Sequence, residues 1–303
     1  SFSKLAVSLA SPQVNGTAFT GTNTLTAQDA YGNTVTSFNA SGNNVTVTTS
    51  LTGSITGLSG TNKLNNAADF SSGIANLTSL GLTFTGTSGS GTFTFSPATG
   101  TAVTSSSVTV SAGEATKLVV TGTGTQTAGG TQTITVTAKD ANGNTAATYT
   151  GTKSITFSGA ASSSSPATAP TVASTNFGQS TSMNFSNGVA TATMALYKAE
   201  SATIAATDGT LSAGGSDRLS VTVSPAAYSK LAVSLATPQV NATAFTGTNT
   251  LTAQDAYGNT VSSFDASANN VTVTTSLTGT ISGLSGANKL SSAGDFTAGV
   301  ANL

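Results

Sequence analysis

The chain has 303 residues, with 9 basic and 10 acidic side chains, a formal net charge of −1 and only 6% charged residues, against about 25% in typical soluble proteins. That balance excludes the electrostatic footprint of a nucleic-acid or anionic-membrane binder. Cys, His and Trp are all absent; the usual nucleophile–base pairs are therefore missing, and the scattered acids suggest no paired carboxylate site.

From the N-terminus the dominant pattern is period two. Leu5, Val7 and Leu9 alternate with small residues, as do Val45 and Val47, Phe93 and Phe95, and Val108 and Val110. Further along come Ile134, Val136 and Ala138, then Ile155 and Phe157, then Leu219, Val221 and Val223. Alternation places one set of side chains on a core face and the Ser/Thr set in water. Thr suits the wet face because its branched Cβ favours extended backbone. No stretch carries a persuasive helical apolar stripe, and no apolar run reaches the ~18 residues that a membrane-spanning helix needs. Regular apolar spacing without high charge argues against disorder.

Between these strands the sequence predicts tight turns. Asp29-Ala30-Tyr31-Gly32-Asn33 corresponds to Asp140-Ala141-Asn142-Gly143-Asn144 and recurs as Asp255-Ala256-Tyr257-Gly258-Asn259. A second landmark runs from Phe70 to Ala75, with counterparts from Phe185 to Ala190 and from Phe296 to Ala301. Gly and Asn supply the positive φ that such turns require.

The landmarks belong to a repeat. Ser3-Lys4-Leu5 returns as Thr116-Lys117-Leu118 and as Ser229-Lys230-Leu231, a step of 113 residues each time. Residues 3–77 reappear as 229–303 with 14 differences in 75 positions, so the larger unit is a pair of 226 residues. A fixed period marks an array. The expected domains are 1–115 and 116–228, with 229–303 as the start of a third that repeats the first. Because 229–303 has no counterpart of 78–115, the expectation is a window on a longer polypeptide, or strands supplied by a neighbouring chain. The joins, Ser111 to Ala115 and Ser224 to Tyr228, leave little slack. A stiff end-to-end arrangement follows, each pair advancing it by roughly 60–80 Å.

The run Thr135 to Asn144, followed by Asn187 to Thr193 and by Ala202 to Gly209, resembles the bacterial immunoglobulin-like domain of invasin- and intimin-type surface proteins. The resemblance covers most of 116–228 and, more loosely, 3–115. It implies an all-β fold of tandem immunoglobulin-like β-sandwich domains arranged end to end, strung into stalks at the bacterial cell surface. Absence of Cys is compatible with that extracellular location, since domains of this size do not need disulfides.

Several residues invite chemistry. The Asp-x-x-Gly-Asn turns alternate oxygen side chains as a calcium loop does, but lack its sixth-position Gly and distal bidentate Glu; an Asp capping nearby backbone N–H groups accounts for them better. Lys4, Lys117 and Lys230 share one place on the first strand. They blunt an edge strand, or else form an isopeptide cross-link with Asn or Asp, with Asp29 and its counterparts as the acid. Sequons stand at Asn15, Asn39, Asn44, Asn76, Asn184, Asn241 and Asn270, so glycans are a possible partner. Ice binding would need more regular Thr ranks, and sugar stacking more aromatics.

No catalytic, cofactor-binding or metal residue is therefore assigned, no cofactor is expected, and the chain reads as non-enzymatic. The reading is a structural repeat of a long extracellular bacterial fibre or surface stalk, whose partners are its neighbouring repeats or further copies of itself. The alternatives are an adhesin that binds a host or neighbouring cell, which should expose a loop cluster of which only Tyr31 and Tyr257 are visible, and a surface-layer lattice protein.

Overall fold

The computed structural model describes residues 1–303. The protein is all-β, with 43% of residues in strands and 4% in helices. Its contacts divide it into two compact units. The first holds Ser1–Leu118, Thr137–Gly151 and Phe185–Val189; the second holds Val119–Val136, Thr152–Asn184 and Ala190–Leu303.

In the first unit, Thr24–Gln28 lies between Lys4–Ser8 and Ile74–Asn76, all antiparallel, in register Leu5 opposite Ala27 and Leu25 opposite Ala75. A second sheet runs Val103–Thr104, Phe93–Pro97, Val45–Thr49, Lys63–Leu64. Alternation decides what is inside: Leu25, Ala27, Val45, Val47, Phe93 and Phe95 are buried in one core, while their Thr neighbours are not. Val7 and Leu9 only pack against its margin. Val108–Ser111 closes the unit, parallel to Gln13–Val14 and antiparallel to Gly89–Gly91. One short α-helix interrupts the strands, Leu77–Leu80, capped by the Asn76 side chain and ended by Gly81 in left-handed geometry. Four residues are too few to show a helical period.

In the second unit, Ser201–Thr207 pairs with Leu219–Ser224 and with Gly151–Ser158. Leu219–Ser224 lies parallel to Thr125–Thr127. Residues 229–303 rebuild the first sheet of their counterpart: Thr250–Gln254 lies between Lys230–Ser234 and Val300–Asn302, over a core that includes Leu251, Ala253, Phe264 and Phe296. Exposure differs where the sequence differs. Phe19 is 1% exposed and meets the Phe93 ring edge-on at 5.4 Å. Its counterpart Phe245 is 51% exposed. No helix is long and apolar enough to cross a membrane.

The Phe-to-Ala landmarks form hairpins, as the sequence predicts. Ser72 and Gly73 both have positive φ, as do Asn187 with Gly188 and Ala298 with Gly299, the pattern of a two-residue hairpin turn. The glycine carbonyl accepts from the central strand: Ala27 N–H donates to Gly73 at 2.9 Å. The approach is too close for a side chain, since a Cβ on Gly73 would lie 2.5 Å from the Val35 carbonyl oxygen. Gly73→Ala is therefore expected to combine left-handed strain with a backbone clash, lowering stability by about 1–3 kcal/mol. Chemical denaturation measures it, and a midpoint equal to the parent's would contradict the geometry.

Candidate functional site

The site is the Asp-x-x-Gly-Asn turn and what it touches. Each copy leaves a central strand and is closed by a bridge: Gln28 to Thr34, Lys139 to Thr145, Gln254 to Thr260. In every copy the Asp N–H donates to the Asn carbonyl at 2.9 Å. The Asp Oδ1 accepts from the backbone N–H groups two and four residues on, at 2.8–2.9 Å. Gly at the fourth place has φ of 89°, 83° and 85°. The short Asp side chain suits this role because it reaches its own turn's donors without leaving the backbone.

The three copies then part ways. Asp29 is partly exposed, whereas Asp140 is 2% and Asp255 0% exposed. The covering groups come from the preceding repeat. Within the first unit, Gly113 N–H donates to Asp140 Oδ2 at 3.0 Å. Ser88 N–H donates to Asn144 Oδ1 at 2.9 Å, and Asn144 Nδ2 donates to the Gly86 carbonyl at 2.9 Å. Within the second unit the same three bonds recur. Ala226 N–H donates to Asp255 Oδ2 at 2.9 Å, Ala199 N–H to Asn259 Oδ1 at 2.7 Å, and Asn259 Nδ2 to the Tyr197 carbonyl at 2.8 Å. Gly113 and Ala226 lie 113 residues apart, in the middle of the two joins.

The joins themselves are held from both ends. Asn15 N–H donates to Ser111 and Thr116 N–H to Lys139; in the next join Ala128 N–H donates to Ser224 and Ser229 N–H to Gln254, all at 2.8–2.9 Å. The clamp thus takes hold of a segment whose ends are already paired, which limits the entropy it must overcome.

The acids are perturbed accordingly. Burial pushes the Asp140 carboxyl up, but the Asn144 amide and the N–H groups of Gly113, Asn144 and Asn142 outweigh it and hold it below 3.8. Asp255 behaves alike: burial raises it, and the Asn259 amide with the N–H groups of Ala226, Asn259 and Tyr257 lowers it further. Hydrogen bonds favour the ionised form because only that form accepts at every lone pair.

The sequence-derived candidates find their places. In the calcium-like turns both carboxylate oxygens face N–H donors. Lys4–Ser8 and Lys230–Ser234 are sheet edges, and the Lys230 amine donates to the Ser165 carbonyl and hydroxyl oxygens. Asn15 is buried and shares reciprocal bonds with Gly86, which closes that sequon to a glycan; the other six sequon asparagines are exposed. Tyr31 is 92% exposed, but Tyr257 packs against Tyr197 with ring centroids 5.1 Å apart. That difference, and the docking roles of Ser88, Gly113, Ala199 and Ala226, carried no sequence signal except the matched spacing of the joins.

No protein-family model and no curated protein matches the chain. Among solved structures, InvD of Yersinia pseudotuberculosis is similar at 22% identity and a TM-score of 0.35, over 85% of this chain and 71% of that one. Surface-layer protein SbsC, domains 4–9, is similar at 20% identity and a TM-score of 0.28, over 92% of this chain and 40% of that one. A β-glycosidase from Bacteroides vulgatus follows at 10% identity and a TM-score of 0.30, over 74% and 25%. Likeness at this level sets neither the family nor the function.

Asp140→Ala should strand the N–H groups of Gly113, Asn142 and Asn144 and cost about 2–3 kcal/mol. Asp29→Ala loses only turn bonds and should cost less; equal losses in thermal unfolding would mean that the Gly113 bond contributes nothing. Because the folded carboxyls lie below the ordinary value, their stabilisation is complete above about pH 4–5. It is lost as the pH falls through the folded values, and amide exchange at Gly113 and Ala226 should rise over that interval.

Proposed function

We propose that the chain is a structural, non-catalytic repeat segment of a long extracellular bacterial fibre or surface stalk, with domains at 1–115 and 116–228 and the start of a third at 229–303. The observation that carries the reading is the clamp formed twice from the same three bonds, each time between a turn and the end of the repeat before it. A clamp that recurs with the sequence period transmits orientation from each repeat to the next, which is what a fibre made by repetition requires. A surface with few charges supports the same role, since salt has little to screen.

Two measurements test the reading. Rotational diffusion by NMR relaxation should give residues 1–111 and 117–223 one common correlation time, and independent tumbling would end the proposal. Immunogold electron microscopy with antibodies to this segment should label threads leaving the cell surface. Label confined to a continuous lattice would favour a surface layer instead, and short rods that mediate binding to other cells would favour an adhesin.

A further inference from the structure

Both clamps share their three bonds, but they differ at the third residue of the turn and at what that residue faces. In the first clamp the residue is Asn142. Its Nδ2 donates to Asn15 Oδ1 at 3.3 Å, beside Gly86. Gly86 has no space for a side chain: a Cβ there would lie 2.3 Å from the Thr52 carbonyl oxygen and 2.5 Å from the Gly53 Cα. In the second clamp the residue is Tyr257. Its ring packs on Tyr197, the residue that offers its carbonyl in the role of Gly86. It also lies over Gly129, where a Cβ would come 2.2 Å from Tyr257 Oη. Ser165 N–H donates to the Tyr257 carbonyl at 3.1 Å and completes the seat.

The turn at 29–33 is identical in sequence to the one at 255–259 and holds the same internal bonds. It nevertheless leaves Tyr31 92% exposed. We propose that the third turn residue and its facing residue form a matched pair that sets which repeat follows which, and that the Tyr31 turn is a docking surface for a module bearing the second repeat's face of Gly129, Tyr197, Ala199 and Ala226. The occupant is defined by the seat Tyr257 already uses. A first-type repeat offers Tyr31 no aromatic partner, because Gly86 cannot carry one. This deepens the fibre reading and rests on it: alternation of the two repeats is written into their clamps.

Swapping the keys in the full chain tests this. Amide hydrogen exchange reads Ser88 and Gly113 in the first clamp, and Ala199 and Ala226 in the second. Asn142→Tyr and Tyr257→Asn should each raise exchange in its own clamp roughly threefold to tenfold, the value of one aromatic or amide contact, and leave the other unchanged. Tyr197→Ala should act like Tyr257→Ala, and the double variant no worse than either, because both remove one contact. Extending the full chain at its N-terminus with a second copy of 116–226, joined directly to Ser1, should protect the copy's Ala199 and Ala226 amides, and Tyr31→Ala should abolish that protection. Extension with a second copy of 1–113, joined directly to Ser1, should leave its Ser88 and Gly113 amides unprotected. The copy's Ile204 and Val221 amides report whether it folds; if it does not, the swaps decide. Unchanged exchange in the swaps, multiplied losses in the double variant, or equal protection by both extensions would overturn the pairing. Those outcomes leave a stiff joint indifferent to order, and the fibre reading with it; loss of clamp protection in the parent chain would sink both.

Discussion

A carboxylate taken out of water has to be met by donors, and here the donors come from two repeats at once. Asp140 accepts from its own turn on one oxygen and from the Gly113 N–H on the other; Asp255 does the same with Ala226. Burial opposes the charge, and the donors more than offset it. Neither half suffices alone. The turn without Gly113 is the exposed turn of Asp29, and the join without an acid would leave a half-buried N–H unmet. The bond therefore couples local turn geometry to the join that precedes it.

That coupling works because the surroundings are already fixed. The turn leaves a central strand, and the hairpin after it lays its glycine against the same strand, with no room for a Cβ at Gly73, Gly188 or Gly299. Each join is paired at both ends before the acid takes hold of its middle. Few degrees of freedom remain for the clamp to restrict, so bonds of ordinary strength can hold the join against the turn. In a chain with so few charges, the exceptional ones sit where backbone must be gathered.

Within this scheme, variation is confined to one contact. The carboxylate, the amide and the two N–H donors are constant between the clamps, while the third turn residue changes from Asn142 to Tyr257 and the side chain it meets from Asn15 to Tyr197. Constant bonds provide the hold; the variable contact provides discrimination, as expected where specificity is a difference between affinities. Tyr31 carries the second-type side chain with no ring against it, which turns a repeat sequence into a statement about neighbours.

Much of the fold was legible in the residues themselves. Period-two alternation gave the strands at Val45–Thr49 and Phe93–Pro97, because extended backbone sends successive side chains to opposite faces. Glycine and asparagine gave the hairpins, because few other residues accept their φ. Asp29, Asp140 and Asp255 read alike as turn-capping acids, and locally they are alike. Only the tertiary structure separated them. Burial, and the choice of Gly113, Ser88, Ala226 and Ala199 as donors, depend on backbone groups that every residue type carries, so no side-chain pattern could announce them. The same holds for Tyr31 and Tyr257, one residue in one sequence context with opposite surroundings. Local conformation was set by the chain's own residues; what each turn rests on was decided by which surface folded up beside it.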